Sequence, residues 1–333
     1  MQTQGLIDLQ VNGYAGIDFN DAALTAAALD HALAAMLADG VTTCLPTLIT
    51  ATEPDLTARL AALDEAVATS RLGPAMVPGF HLEGPFLNPT PGYAGCHPAE
   101  AMMSPDPALL QRVTHGLRHP VLLLTLAPER DGAAPVIAWA RQSGILVAMG
   151  HTAAGVAEVE HAAQAGVRLS THLGNALPQP QPKFLNPLMA QLAEDRMAAS
   201  FIADGIHVPP HALKVMLRAK GKGRCVLVTD ATAAAAAPSG LYRFAGMAIE
   251  HSADGSVRAP GSATLAGSAL RLDQAVRNIV AWGLADAAEA IAMASTVPAA
   301  LLGLDWDYGQ VRWTPNLRPV GAQPGGGLIP PRR

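Results

Sequence analysis

Aromatic residues are scarce. Phe, Trp and Tyr make up 4% of the 333 residues, too few for a stacking platform that would read bases or polysaccharide chains. Charge is sparse as well: 15% of residues are Asp, Glu, Lys or Arg, the net charge is −5, and no basic stripe could follow a nucleic-acid backbone. Cysteine is limited to Cys44, Cys96 and Cys225. They form no CxxC pair, which excludes a disulfide framework and suits a reducing compartment. The opening MQTQGLIDLQVNG has no basic segment followed by an apolar one, so no signal peptide is read. No apolar run reaches the length of a transmembrane helix. No glycine-rich phosphate loop follows the first strand-like run, which lowers the nucleotide-binding classes. These absences describe a soluble cytoplasmic protein with neither nucleic acid nor membrane as partner.

What is present is a large apolar core. Half of the residues are hydrophobic, and the length fits one big α/β barrel or two ordinary domains. Eight short apolar runs recur along the chain: Leu6–Gln10, Val41–Leu45, Met76–His81, Val121–Leu126, Ile145–Met149, Arg168–Thr171, Ala198–Ile202 and Cys225–Thr229. They do not alternate, as expected of strands covered on both faces. Helical stretches separate them, including 22–38 after the capping types Asn20 and Asp21, 55–68 after Pro54, 133–142, 156–165 and 211–219. Eight such units predict a (β/α)8 barrel rather than an open doubly wound sheet.

Four polar residues stand where these runs end: Glu83 in GFHLEGP, His151 in LVAMGHT, His172 in RLSTHLGNA and Asp230 in CVLVTDAT. In a parallel barrel the strand tips converge on the face that carries the active site. Two His and one Glu are a standard catalytic zinc set that leaves a coordination position open. Asp230 then stands as the group that moves a proton. Any one of the four alone reads more simply as a cap or a loop hydrogen bond, and their joint placement is what lifts the set. His81, two residues before Glu83, reads as packed. Long Pro-rich excursions follow Glu83 (84–103) and His172 (173–187), where substrate-binding loops belong.

The segments GLIDLQVNGYAGIDFND, GFHLEGPF, GHTAA, THLGNA, ADGIH, VTDAT and LAGSA occur in that order from Gly5 to about Leu304. In this the chain resembles the N-acetylglucosamine-6-phosphate deacetylases of the amidohydrolase superfamily. The resemblance implies a metal-dependent barrel that hydrolyses the acetamide of an amino sugar phosphate. It matches Glu83, His151 and His172 to the metal ligands and Asp230 to the catalytic acid/base. Gln10-Val11-Asn12 stands where many amidohydrolases have His-x-His, which implies one divalent metal, zinc, rather than two. Implied substrate contacts are Cys96, His97, Asn175, Ala176, Asp204, His207, Leu265, Ala266 and Gly267, with His97 also polarising the amide carbonyl. A homodimer is implied, with His207 and Lys183 as the residues to examine at the partner.

Departures from the family pattern are equally legible. The loop LNPTPGYAGCH carries no lysine, and Lys183 takes the place of a phosphate-binding Arg. A lysine is a point charge without the planar fork of arginine. The family's small β-sandwich is expected to be reduced, with no strand before Leu6. The barrel is assigned to 1–304, and 305–333 to a sandwich remnant with a poorly ordered tail from Pro319. Other readings are an amidohydrolase acting on an N-acyl amino acid or a cyclic amide, and a non-catalytic barrel.

Overall fold

The computed structural model describes residues 1–305 and 307–325. Eight parallel strands carry the fold: β1 (Leu6–Val11), β2 (Val41–Ile49), β3 (Phe80–Glu83), β4 (Val121–Leu126), β5 (Leu146–Met149), β6 (Leu169–Ser170), β7 (Ala198–Ile202) and β8 (Cys225–Val228). They are hydrogen-bonded in sequential order from β8 to β1. A parallel bridge between Val11 and Ala231 brings the two edges together, and the Asp230 amide donates to the Gln10 carbonyl at 2.9 Å. The expected (β/α)8 barrel is therefore formed. Every residue of β1, β2, β4 and β8 is buried, because helices cover the outside of the sheet while side chains fill its inside.

The first two long helices begin where a side chain takes up a free amide. Ala26–Ala38 starts at Thr25, whose hydroxyl accepts from the Ala28 amide, and not at Asn20 or Asp21. Asn20 has another role. It donates to the Thr47 carbonyl and accepts from the Ile49 amide, both at 2.9 Å, which lashes the loop after β1 to β2. Glu53–Thr69 is capped in the same way by Thr52, ahead of Pro54. Gly73–Met76 forms one helical turn, so β3 starts at Phe80 and not at Met76.

Two small sheets depart from the sequence reading. Gln2–Gln4 is a strand, contrary to the expectation of none before Leu6. It pairs antiparallel with Gln310–Trp313, which pairs in turn with Pro319–Gln323. The start of the expected unordered tail is thus a strand as well, while residues 326–333 lie outside the described residues. Gln-Thr-Gln has no apolar run to announce it, and its partner across the chain ends supplies its conformation. The second sheet is antiparallel and follows β8: Gly240–Phe244, Met247–His251 and Val257–Arg258. Phe244, Ile249 and Val257 pack with Ile49, Ala234 and Ala266 at the barrel's C-terminal rim. No helix among the described residues is long and apolar enough to cross a membrane.

Candidate active site

Glu83 ends β3, His151 and His172 follow β5 and β6, and Asp230 follows β8. Three of these four leave the strand in the left-handed region, with φ of +50° at His151, +28° at His172 and +49° at Asp230. Non-glycine residues there cost about 1–3 kcal/mol each and persist only where the surroundings over-determine them. The chain turns sharply at each tip and sends the side chain into the barrel mouth.

There the groups converge. Glu83 Oε1 lies 2.9 Å from His172 Nε2 and 3.4 Å from His151 Nε2, and the two imidazole nitrogens are 3.2 Å apart. A tetrahedral cation with ligand bonds of about 2.1 Å has edges of about 3.4 Å between ligand atoms, so this triangle has the size of a metal's coordination face. His151 Nδ1 sits 2.8 Å from the Tyr93 carbonyl, an acceptor that takes the ring proton and leaves Nε2 as the electron-pair donor. His97 stands on the other side, with Nε2 3.5 Å from Glu83 Oε2 and Nδ1 3.0 Å from the Thr50 hydroxyl. Glu83, His97 and His151 also bring ligand atoms within 4.8 Å of one another. That set differs from the first triangle in having His97 in place of His172.

Burial and mutual contact set the charges of these groups. Burial raises the Glu83 carboxyl, but three imidazole contacts outweigh it and hold the group well below the usual carboxylate range. Burial likewise opposes charge on His172, yet the Glu83 contact pushes its pKa up to about 9. His97 is driven down to about 4, chiefly by burial and then by His151, so its ring is neutral at neutral pH. Asp230 is raised to about 6 by burial and by the nearby Glu83 charge. Its Oδ1 accepts from Asn12 Nδ2 at 2.7 Å and Gln10 Nε2 at 3.2 Å, and Gln10 Nε2 is also 3.0 Å from Glu83 Oε1. Both amides of the Gln-x-Asn strand therefore act as donors to the site's carboxylates.

The surrounding cavity holds about 570 Å³ and is lined by Cys96, His97, Asn175, Ala176, His207, Leu265 and Gly267 together with the four central residues. Three other predicted contacts lie outside that lining. Asp204 stands behind His207, its Oδ2 2.6 Å from His207 Nδ1. Ala266 is buried against the hairpin. Lys183 is exposed on the loop after Asn175 and does not line the cavity of this chain. The sequence reading missed Thr50, Gln179, Phe244 and Arg258, of which the last three line the cavity. Thr50 directly follows β2, and Phe244 and Arg258 end the short strands Gly240–Phe244 and Val257–Arg258, but none of these ends was among the apolar runs read from the sequence.

A profile of the amidohydrolase family matches residues 3–312. The chain is 36% identical to the N-acetylgalactosamine-6-phosphate deacetylase of Escherichia coli O157:H7 over 307 residues, covering 92% of this chain and 79% of that one. It is 32% identical to the N-acetylglucosamine-6-phosphate deacetylase of Bacillus subtilis over 278 residues, or 83% and 68% of the two chains. The chain belongs to the N-acetylglucosamine-6-phosphate deacetylase family of amidohydrolases. A solved structure of a point mutant of the Mycobacterium smegmatis enzyme, in complex with N-acetyl-D-glucosamine-6-phosphate, superposes with a TM-score of 0.88 at 30% identity. That match covers 98% of this chain and 86% of the other. Amidohydrolases of this kind are metal-dependent, and the Glu–His–His triangle is a donor set that fits a divalent cation.

Proposed function

We infer that this chain is a metal-dependent hydrolase that removes the N-acetyl group from an amino sugar 6-phosphate, yielding acetate and the free amine. One observation carries the reading: Glu83 Oε1 and the Nε2 atoms of His151 and His172 meet within 3.4 Å, with Asp230 lining the same cavity. Glu83, His151 and His172 would hold one cation, zinc by the preference for two imidazoles and one carboxylate. Bound there, it supplies Lewis acidity and lowers the pKa of a water toward about 7.

The protein's own groups do the rest. Asp230 takes a proton from the attacking water and returns it to the amine nitrogen as the C–N bond breaks; a carboxyl raised to about 6 is suited to both transfers near neutral pH. Asn12 and Gln10 hold its Oδ1 and so fix the carboxylate's orientation, while Oδ2 has no hydrogen-bond partner among the described residues. His97, neutral and with one ring proton, donates to the amide carbonyl oxygen. Asn175 spends its amide on the His172 carbonyl at 2.8 Å, so it shapes the turn beside the ligand. Gly95 (φ +61°) lets the loop pass over His151, where a Cβ would lie 3.0 Å from the ring. Cys96, Ala176, Leu265 and Gly267 form walls for the sugar, and His207, oriented by Asp204, offers Nε2. The working form is a homodimer in the cytoplasm. His207 and Lys183 are the residues to examine at the partner, the latter on a loop whose next two residues, Phe184 and Leu185, are 74% and 79% exposed.

The test is acetate release by the metal-loaded protein from N-acetylglucosamine 6-phosphate, its galacto epimer and their unphosphorylated forms. An N-acetyl amino acid and a cyclic amide complete the panel. Release from a phosphorylated amino sugar is expected. Cleavage of the last two compounds alone would replace this reading with another amidohydrolase activity.

A further inference from the structure

We propose that Arg258, on the hairpin after β8, is the residue of this chain that grips the phosphate of the substrate. The inference rests on the phosphorylated-sugar reading above and names the group that would make it selective. Among the residues lining the cavity, Arg258 is the one permanent cation; the others that can carry positive charge are histidines. Lys183, which occupies the family's phosphate-binding position in sequence, does not line the cavity.

Its placement is fixed by the fold. Arg258 forms an antiparallel bridge with Leu265, and the Ala266 amide donates to the Val257 carbonyl at 2.9 Å. The hairpin is thus tied to the turn at Leu265 and Gly267, which lines the same cavity. The guanidinium is also oriented. Nε donates to Ser256 Oγ at 3.3 Å, Ser256 Oγ donates to Asp254 Oδ1 at 2.7 Å, and Nη1 donates to the Ala263 carbonyl. Nη2 has no hydrogen bond among the described residues, and no carboxylate there lies within ion-pair distance of Arg258. A half-buried, pre-oriented guanidinium with no ion-pair partner is a ready anion receptor, because little rotamer freedom is left to lose on binding. The deep end of the cavity holds Glu83 and Asp230, so a dianionic substituent is repelled from it and favoured toward Arg258. The acetamide is thereby directed toward Asp230.

The experiment compares wild type with Arg258→Ala and Arg258→Gln, all metal-loaded. Acetate release is measured from N-acetylglucosamine with and without the 6-phosphate, alongside calorimetric binding of glucosamine 6-phosphate and glucosamine. Loss of a charge-assisted phosphate contact is expected to lower kcat/KM for the phosphorylated sugar about 10–100-fold, mostly through KM. Turnover of the unphosphorylated sugar should stay within about threefold, since the cation acts on the phosphate alone. A purely structural role would depress both substrates together, and that result overturns the proposal. So does an unchanged phosphate preference in both variants, a wild type with no preference, or a preference abolished by Lys183→Ala and untouched by the Arg258 variants. If no acetate is released at all but Arg258 still governs phosphate-dependent binding, the deacetylase reading falls and this inference stands.

Discussion

Two buried polar clusters stand two residues apart on β3, and they behave differently. Around His81, Nδ1 lies 3.2 Å from the Thr47 hydroxyl and Nε2 2.8 Å from that of Thr125, which is 2.8 Å from Thr171 Oγ1. Each ring nitrogen has a partner, and burial lowers the His81 pKa to about 4, so the network is neutral at physiological pH. Around Glu83 the same residue types crowd one another. Among the described residues His172 Nδ1 and Asn12 Oδ1 are buried without a hydrogen-bond partner, and three imidazoles converge on one carboxylate. A closed set of neutral hydrogen bonds holds a barrel together. An open convergence of lone pairs invites a cation. The reading of His81 as packed follows from the first pattern, and that of Glu83 as a ligand from the second.

The contrast can be broken most severely at His172. His172→Ala removes one corner of the ligand triangle, and elemental analysis should find far less than one metal per chain, with acetate release lost. Full metal content would remove His172 from the ligand set. Asp230→Asn comes next in size. It should keep its metal but lose about 10²–10⁴ in kcat, the range a positioned acid/base supplies; wild-type turnover would exclude Asp230 from proton transfer.

His81→Leu tests the other cluster. Leaving the Thr47 and Thr125 hydroxyls without the imidazole should cost about 2–5 kcal/mol in urea unfolding, with metal content unchanged. A loss of metal without loss of stability would erase the distinction between the clusters. The smallest effect is expected at Asp8, which accepts from the Thr229 hydroxyl at 2.6 Å and whose carboxyl burial raises to about 7. A carboxyl raised in the folded state holds its proton longer than the unfolded chain does. Its stabilising contribution is therefore full below about pH 4 and is lost as pH rises through about 7. Asp8→Asn should flatten the fall in stability between pH 5 and pH 8 by about 2–3 kcal/mol. An unchanged slope would mean that Asp8 does not titrate in that window.

Much of the barrel was legible because its signals are local. Val121–Leu126 and Ala198–Ile202 match their apolar runs residue for residue, since a strand buried on both faces needs no longer-range information to announce itself. The small sheets were not. Gln2–Gln4 is a strand only because Gln310–Trp313 lies beside it, and the sheet that leads to Arg258 is partly exposed and has no continuous apolar run to announce it. At the site the residue types at the tips could be read, but not their mutual distances. Nor could the placement of Lys183 outside the cavity be read.

By itself the sequence determined the strand and helix alternation and the chemistry standing at each strand tip, because run length and side-chain type belong to single segments. Tertiary structure alone decided that Glu83, His151 and His172 share a face about the size of one cation, and that Gln10 and Asn12 point donors at the carboxylates. It also decided which cation borders the cavity. Such relations arise when β1 meets β8 and the hairpin folds over the rim, and no short stretch of chain encodes the separation between groups that lie 21 to 220 residues apart.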